Sequence, residues 1–164
     1  MVNTYLGNCI DVMKTMKDNS IDLVIIDPPY VIDTDGGGIA TKRNYYKECE
    51  TMNDGIDESI LDELCRLMKK INIYIWCSQK QLVSYYKYFV EKKKCNWNIL
   101  SWHKNNPIPA CCNKYLSDTE YILFFREKGV KVYGEYKTKF TYYVTPCNKK
   151  EKNLKSTYLV KPLS

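Results

Sequence analysis

No stretch of this 164-residue sequence approaches the roughly 18 to 20 consecutive apolar residues that a bilayer-spanning helix needs, so a membrane protein is not expected. Residues 1–11 have neither a basic start nor an apolar middle and do not read as an export signal. There is one histidine, His103, eight positions from the nearest cysteines, and no two of the eight cysteines stand in a C-x-x-C spacing. Tetrahedral metal sites draw their ligands from close pairs, so no metal centre is expected. Without an export signal the thiols belong in a reducing cytosol, most of them as small core residues. The one glycine cluster, Gly36-Gly37-Gly38, is not followed by a GK[ST] or G-x-G-x-x-G pattern. Residues 31–54, which also carry Lys42-Arg43, therefore read as a loop rather than a phosphate cradle. No internal repeat or domain boundary stands out.

What is present suits one globular domain. The chain is 45% hydrophobic, 27% charged and 13% aromatic, which excludes a disordered chain. The net charge of +6 is local: residues 128–164 hold nine Lys and two Glu, a net +7, against −1 for the rest. A basic tail on a near-neutral body suits a polyanion such as a nucleic-acid backbone, and equally a plain solvated lysine surface.

Residues 20–27, SIDLVIID, are short, branched and apolar, the pattern of a strand buried on both faces. Helical spacing over residues 9–17 follows a possible short strand at 4–6. An amphipathic helix with an acidic start and a basic end is expected over 57–70. INIYIWC at 71–77 gives a second buried strand, 79–94 a further amphipathic helix, 97–102 a third strand and 120–125 a fourth. Strand-helix-strand-helix-strand argues for an α/β domain with parallel strands, and the fourth, arriving without a helix, for an antiparallel neighbour. Residues 134–164 are lysine-rich, with aromatic clusters such as Tyr142-Tyr143, and read as irregular.

The sharpest feature is Asp27-Pro28-Pro29-Tyr30 at the carboxyl end of the first buried strand, where open α/β sheets bind ligands. An exocyclic amino group conjugated to a ring is a poor nucleophile until its geometry becomes more tetrahedral. The Asp27 carboxylate can accept one amino hydrogen and the Pro28 carbonyl the other. Pro28 and Pro29 remove backbone donors and stiffen the turn, and Tyr30 offers a flat face to an extruded base. Four fixed residues arise by chance in a chain of this length about once in a thousand.

The constellation resembles motif IV of the amino-methylating DNA methyltransferases, DPPY being most typical of their adenine-specific members. The resemblance extends through LGNCIDVMKTMKDNSIDLVIIDPPY, YIWCS, SWHKNNPIPACCNKYLSDTEYILFF and the closing VKPLS, which is similar to the beginning of motif X. DPPY first and a motif X-like segment last fits the β-type arrangement. It implies an α/β, Rossmann-like methyltransferase fold, mostly parallel, with an antiparallel strand near the C-terminal part. It also implies S-adenosylmethionine as cofactor and DNA as partner. Asp27, Pro28, Pro29 and Tyr30 take the catalytic positions. Trp102, Lys104, Asn105 and Pro107 line the target-base pocket, against the plainer reading of Trp102 as core and the NNP run as a turn. Asp27, Lys161 and Pro162 touch the cofactor. Lys42, Arg43, Lys149, Lys150 and Lys152 suit the DNA backbone. Residues 1–127 are read as the catalytic core, with 128–164 a basic, DNA-contacting segment of the same domain.

Departures accompany the likeness. The sequence ends at Ser164, ahead of the F-x-G-x-G segment that follows motif X in relatives, and Asn8 stands where they often carry an acidic residue. The expectation is therefore an incomplete fold, the catalytic half without the cofactor-half strands. A free apolar edge at residues 23–27 would then be covered by a second polypeptide or another copy of the chain. A cytoplasmic adenine methyltransferase is the leading reading. A DNA-binding remnant without catalysis, or methylation of cytosine's amino group, stand as alternatives.

Overall fold

The computed structural model describes residues 2–31, 55–107, 109 and 115–147. None of its described helices is long and apolar enough to cross a membrane. Helix α1 spans Cys9–Thr15, where the Asn8 side chain caps the first turn by accepting the Ile10 amide at 2.9 Å. Residues 4–6 form no strand; Leu6 is fully exposed and has nothing to pair with among the described residues. Strand β1 follows at Val24–Ile26, then helix α2 at Glu58–Leu67. The apolar repeat of α2 puts Leu61, Leu64 and Leu67 on one buried face. Arg66, on its last turn, donates to the carbonyls of Met13 (2.8 Å) and Met16 (3.1 Å), fastening the end of α1 to α2.

Asp57 caps α2, accepting the amides of Ser59 at 2.8 Å and Ile60 at 3.2 Å. The Ser59 hydroxyl and those amides hold its carboxyl below the ordinary value. A depressed carboxyl pKa stabilises above the unfolded-state value, and the contribution fades as pH falls through the folded-state value. Asp57→Asn keeps a cap but removes the titration. It is expected to hold the neutral-pH melting temperature while flattening the acid limb of a Tm-versus-pH curve, whereas Asp57→Ala lowers Tm at neutral pH.

Strand β2 spans Asn72–Cys77. The single helix expected over 79–94 is instead composite. A 3-10 turn at Gln79–Gln81 leads into α3 at Leu82–Tyr86, which widens into a π-helical stretch at Lys87–Lys92. The wider turn lets the consecutive residues Tyr88 and Phe89 both enter the core. Lys94, with φ of 59°, ends it in the left-handed region. Strands β3 (Asn96–Lys104) and β4 (Thr119–Arg126) follow, then β5 (Tyr142–Thr145), a strand in a segment whose sequence reads as irregular. Its four residues, Tyr-Tyr-Val-Thr, are all strand formers, and the open edge of β3 gives them a partner.

The sheet runs in the order β1-β2-β4-β3-β5. β1 pairs parallel with β2 and β5 parallel with β3, while β4 lies between β2 and β3 and is antiparallel to both. The antiparallel placement expected for the fourth strand is thus found, with the added feature that it separates β2 from β3. Ile73, Ile75 and Cys77 of β2 and Leu123 and Phe125 of β4 point to one face. They form the core there with Leu61, Leu64, Leu67, Tyr85, Tyr88 and Phe89. On the opposite face Tyr74 stacks on Phe124 with ring centroids 4.2 Å apart.

β1 is not buried on both faces as its sequence predicts. Among the described residues it is an edge strand paired with β2 alone, and Leu23 and Ile25 stand 43% and 57% exposed. Among the cysteines, Cys77 and Cys95 are buried, Cys65 and Cys147 are half-buried and Cys9 is exposed, so the core reading holds for some of them. Cys49, Cys111 and Cys112 lie outside the described residues.

Candidate active site

β1 ends at Ile26, opposite Ile75, so Asp27 is the first residue past the sheet's carboxyl edge. Asp27 is exposed, Pro28 and Tyr30 are half-buried, and Pro29 is exposed. No ion pair ties the Asp27 carboxylate to a described cation. Burial raises the Tyr30 phenol well above its ordinary range, reinforced by the charge of the Asp27 carboxylate and a hydrogen bond to it. Glu120 and Cys77 add smaller effects in the same direction, so the turn, β2 and β4 converge at this end of the sheet.

The turn is held from β2's side. The Ser78 hydroxyl donates to the Val31 carbonyl at 2.9 Å, and the Gln81 side-chain amide donates to the Pro29 carbonyl at 3.1 Å. Burial pushes the Cys77 thiol up to about 12, so it stays protonated at neutral pH and offers no thiolate nucleophile.

Across β4, Lys104 pairs with Glu120 at 2.6 Å, and its ammonium sits 5.2 Å from the Trp102 ring centroid. Trp102 lies opposite Glu120 on one side and Tyr143 of β5 on the other. Its indole N–H donates to the Thr145 hydroxyl at 2.6 Å. His103 points to the other face, its Nδ1 3.2 Å from the Thr119 hydroxyl, as strand alternation requires.

Trp102 and Lys104 are therefore brought to the end of the sheet that carries Asp27. Asn105 contributes its amide to the Thr145 carbonyl at 3.2 Å while its side chain is exposed, and Pro107 is half-buried beyond it. Asn106, not singled out from sequence, is the asparagine whose side chain engages the segment after β5, at the backbone of Cys147. Gln81, Ser78 and Glu120 were also missed as site residues. The signal for the first two was the S-x-x-Q capping pattern directly after YIWC. Lys42, Arg43, Lys149, Lys150, Lys152, Lys161 and Pro162 lie outside the described residues, as does the glycine cluster at 36–38. Of the cofactor positions, Asp27 alone is described. Its exposed carboxylate just past the end of β1 is an anionic group that fits a cationic one.

In fold the structure resembles solved DNA methyltransferases. The M1.HpyAVI–SAM complex aligns over 96% of this chain and 70% of its own, with a TM-score of 0.61 at 21% identity. The cytosine-N4-specific PvuII DNA methyltransferase aligns over 91% of this chain and 58% of its own, with a TM-score of 0.58 at 11% identity. The architecture is thus the Rossmann-like methyltransferase fold, in incomplete form.

Sequence then fixes the family. Residues 21–162 match the family model described as DNA methylase, of N6/N4 type, and the chain belongs to that family. The Type II methyltransferase M2.MboI of Moraxella bovis is 30% identical over 135 residues, 76% of this chain and 50% of the relative. M.HinfI of Haemophilus influenzae is 30% identical over 119 residues, 66% of this chain and 33% of the relative. The chain thus spans half or less of the length of these curated relatives.

Proposed function

We propose that this chain forms the amino-accepting half of an S-adenosylmethionine-dependent DNA methyltransferase acting on the exocyclic amino group of adenine. Family membership supports the reaction class, and one observation carries the site: an exposed Asp27 carboxylate on a proline-stiffened turn whose carbonyls are tied down from β2. The bound cofactor supplies an electrophilic methyl group on a sulfonium. The protein's part is to accept a hydrogen bond from one amino hydrogen on the Asp27 carboxylate and from the other on the Pro28 carbonyl, so that the nitrogen lone pair turns out of the ring plane. The N–C bond forms as the methyl–sulfur bond breaks, and the one surplus proton on nitrogen leaves to solvent. Tyr30 stacks on the extruded base, and Trp102 and Lys104 wall the pocket. Asn105 and Pro107 border it.

The cofactor reading rests on Asp27, Lys161 and Pro162. The DNA-backbone reading rests on Lys42 and Arg43 and on Lys149, Lys150 and Lys152 of the basic segment 128–164, which we take as part of the same domain as the core. A DNA-modifying role and free thiols suit a cytoplasmic protein. The test is transfer of a tritiated methyl group to DNA by the protein isolated with whatever polypeptide accompanies it, followed by base analysis. N6-methyladenine is the expected product. N4-methylcytosine overturns the choice of base, and DNA binding without cofactor binding or transfer makes the chain a remnant.

The side of β1 left unpaired among the described residues supports a partner. Leu23 and Ile25 are exposed there, and a second polypeptide or a second copy of the chain covers them. At micromolar concentration the protein is expected to sediment as a complex. Ile25→Lys should sediment as a monomer with an unchanged far-ultraviolet spectrum. A monomeric wild type with cooperative unfolding and no binding of hydrophobic dye refutes the partner.

A further inference from the structure

Gln81 is a polar side chain, only 5% exposed, with both its amide oxygen and its amide nitrogen engaged where two loops meet. Its Oε1 accepts from the Ser78 amide at 3.0 Å and lies 3.1 Å from the Ser78 hydroxyl. Its Nε2 donates to the Pro29 carbonyl at 3.1 Å and reaches the Tyr85 hydroxyl at 3.4 Å. The orientation of the amide follows from the partners: the Ser78 N–H needs an acceptor and the Pro29 carbonyl needs a donor.

Room for it is made by Gly55. A Cβ there would stand 2.9 Å from Gln81 Nε2 and 3.3 Å from Val31 Cγ2, at a φ of +73° that disfavours any side chain. The side chain thus fills a slot shaped around an amide.

The turn gains from such an outside hold. Pro28 and Pro29 have no N–H, so two of its four residues supply no backbone donor with which to brace it. Both prolines have φ fixed by their rings, and the residue before a proline is confined to extended ψ, which covers Pro28. Within the Pro28-Pro29 pair the remaining soft torsion is ψ of Pro29, and that is the one the Gln81 amide restrains by gripping the Pro29 carbonyl. Ser78 grips the next free carbonyl, at Val31.

We infer that Gln81, with Ser78, is a positioning residue that fixes the Asp27–Tyr30 turn in the orientation presenting the Asp27 carboxylate and Pro28 carbonyl to an amino group. It touches neither substrate nor cofactor. The inference rests on the proposed methyltransferase reading for its consequence in rate, but not for its consequence in the turn.

The experiment compares wild type, Gln81→Leu and Gln81→Glu, each as the full chain with its accompanying polypeptide. In Gln81→Glu the ionised carboxylate has no proton for the Pro29 carbonyl, whereas the protonated acid is isosteric with the amide and donates one. Burial raises that carboxyl's pKa from about 4.3 toward neutrality. Gln81→Leu is expected to lower kcat about 100-fold with KM for DNA within about threefold, at every pH. The kcat of Gln81→Glu relative to wild type is expected to rise about tenfold as pH falls from about 8 to about 5.5. Hydrogen exchange of the Tyr30 and Val31 amides reports the turn without any turnover, and both should exchange faster in Gln81→Leu while β2 and β4 keep their protection.

A pH-independent Gln81→Glu ratio, or wild-type kcat in Gln81→Leu, overturns the positioning role. Unchanged exchange at Tyr30 and Val31 overturns it as well. If wild type itself transfers no methyl group, the functional reading fails, and the exchange result alone still decides whether Gln81 holds the turn.

Discussion

Asp27→Ala is expected to lower methyl transfer by about 100- to 1,000-fold, the scale of losing one preorganised electrostatic contact to developing charge. The amino nitrogen gains positive character as it attacks, and among the described residues Asp27 is the solvent-facing anionic group directly past the carboxyl end of β1. Asp27→Asn keeps an acceptor oxygen but loses the charge, so its rate should fall between wild type and Asp27→Ala. Both variants should melt near wild type, because an exposed side chain past the end of an edge strand contributes little to folding. Wild-type turnover by Asp27→Ala in the tritiated-methyl assay would remove Asp27 from the reaction.

The second large effect falls on stability. Phe125 is fully buried, lies opposite Ile73 and Trp97 in its neighbouring strands, and stacks on Phe89 with centroids 4.5 Å apart. It is the point where β4, the helical layer and both flanking strands meet. Phe125→Ala removes the ring and leaves a cavity, a change that costs about 3–5 kcal/mol. Domains of this size are stable by about 5–15 kcal/mol, so the variant should lose a large part of the total. The urea midpoint should drop steeply with an unchanged m-value. An unfolding free energy within about 1 kcal/mol of wild type would mean that the core relaxes around the missing ring.

The sequence makes the frame of the molecule legible because its strongest signals are local. SIDLVIID, INIYIWC and the apolar repeat of residues 57–70 each carry their own periodicity, and β1, β2 and α2 stand where those patterns lie. Asp-Pro-Pro-Tyr announces itself in four adjacent residues. What stays hidden depends on partners distant in the chain. β5 becomes a strand because β3 offers it an edge, and the π-helical stretch exists because Tyr88 and Phe89 must both reach the core.

The same holds within the candidate site. Trp102 is picked out by its place in a recognisable segment, but its anchor, Thr145, lies 43 residues away. Gln81 reads as one more polar residue at the start of a helix, and only its 52-residue separation from Pro29 in sequence gives it a role. Glu120 looks like the start of a strand, yet the pairing of β3 with β4 sets it opposite Trp102 and within reach of Lys104.

The central position of β4 has a consequence for synthesis. A chain growing at about 5–20 residues per second leaves β2 and β3 without their shared neighbour until Arg126 has emerged from the ribosome. Until then the apolar faces of three strands have no completed layer, and Tyr30 lacks the carboxylate of Glu120 nearby. The last long strand to be made is the wedge that closes the middle of the sheet, so a nascent chain stalled before it carries the Asp-Pro-Pro-Tyr letters without the platform that aims them.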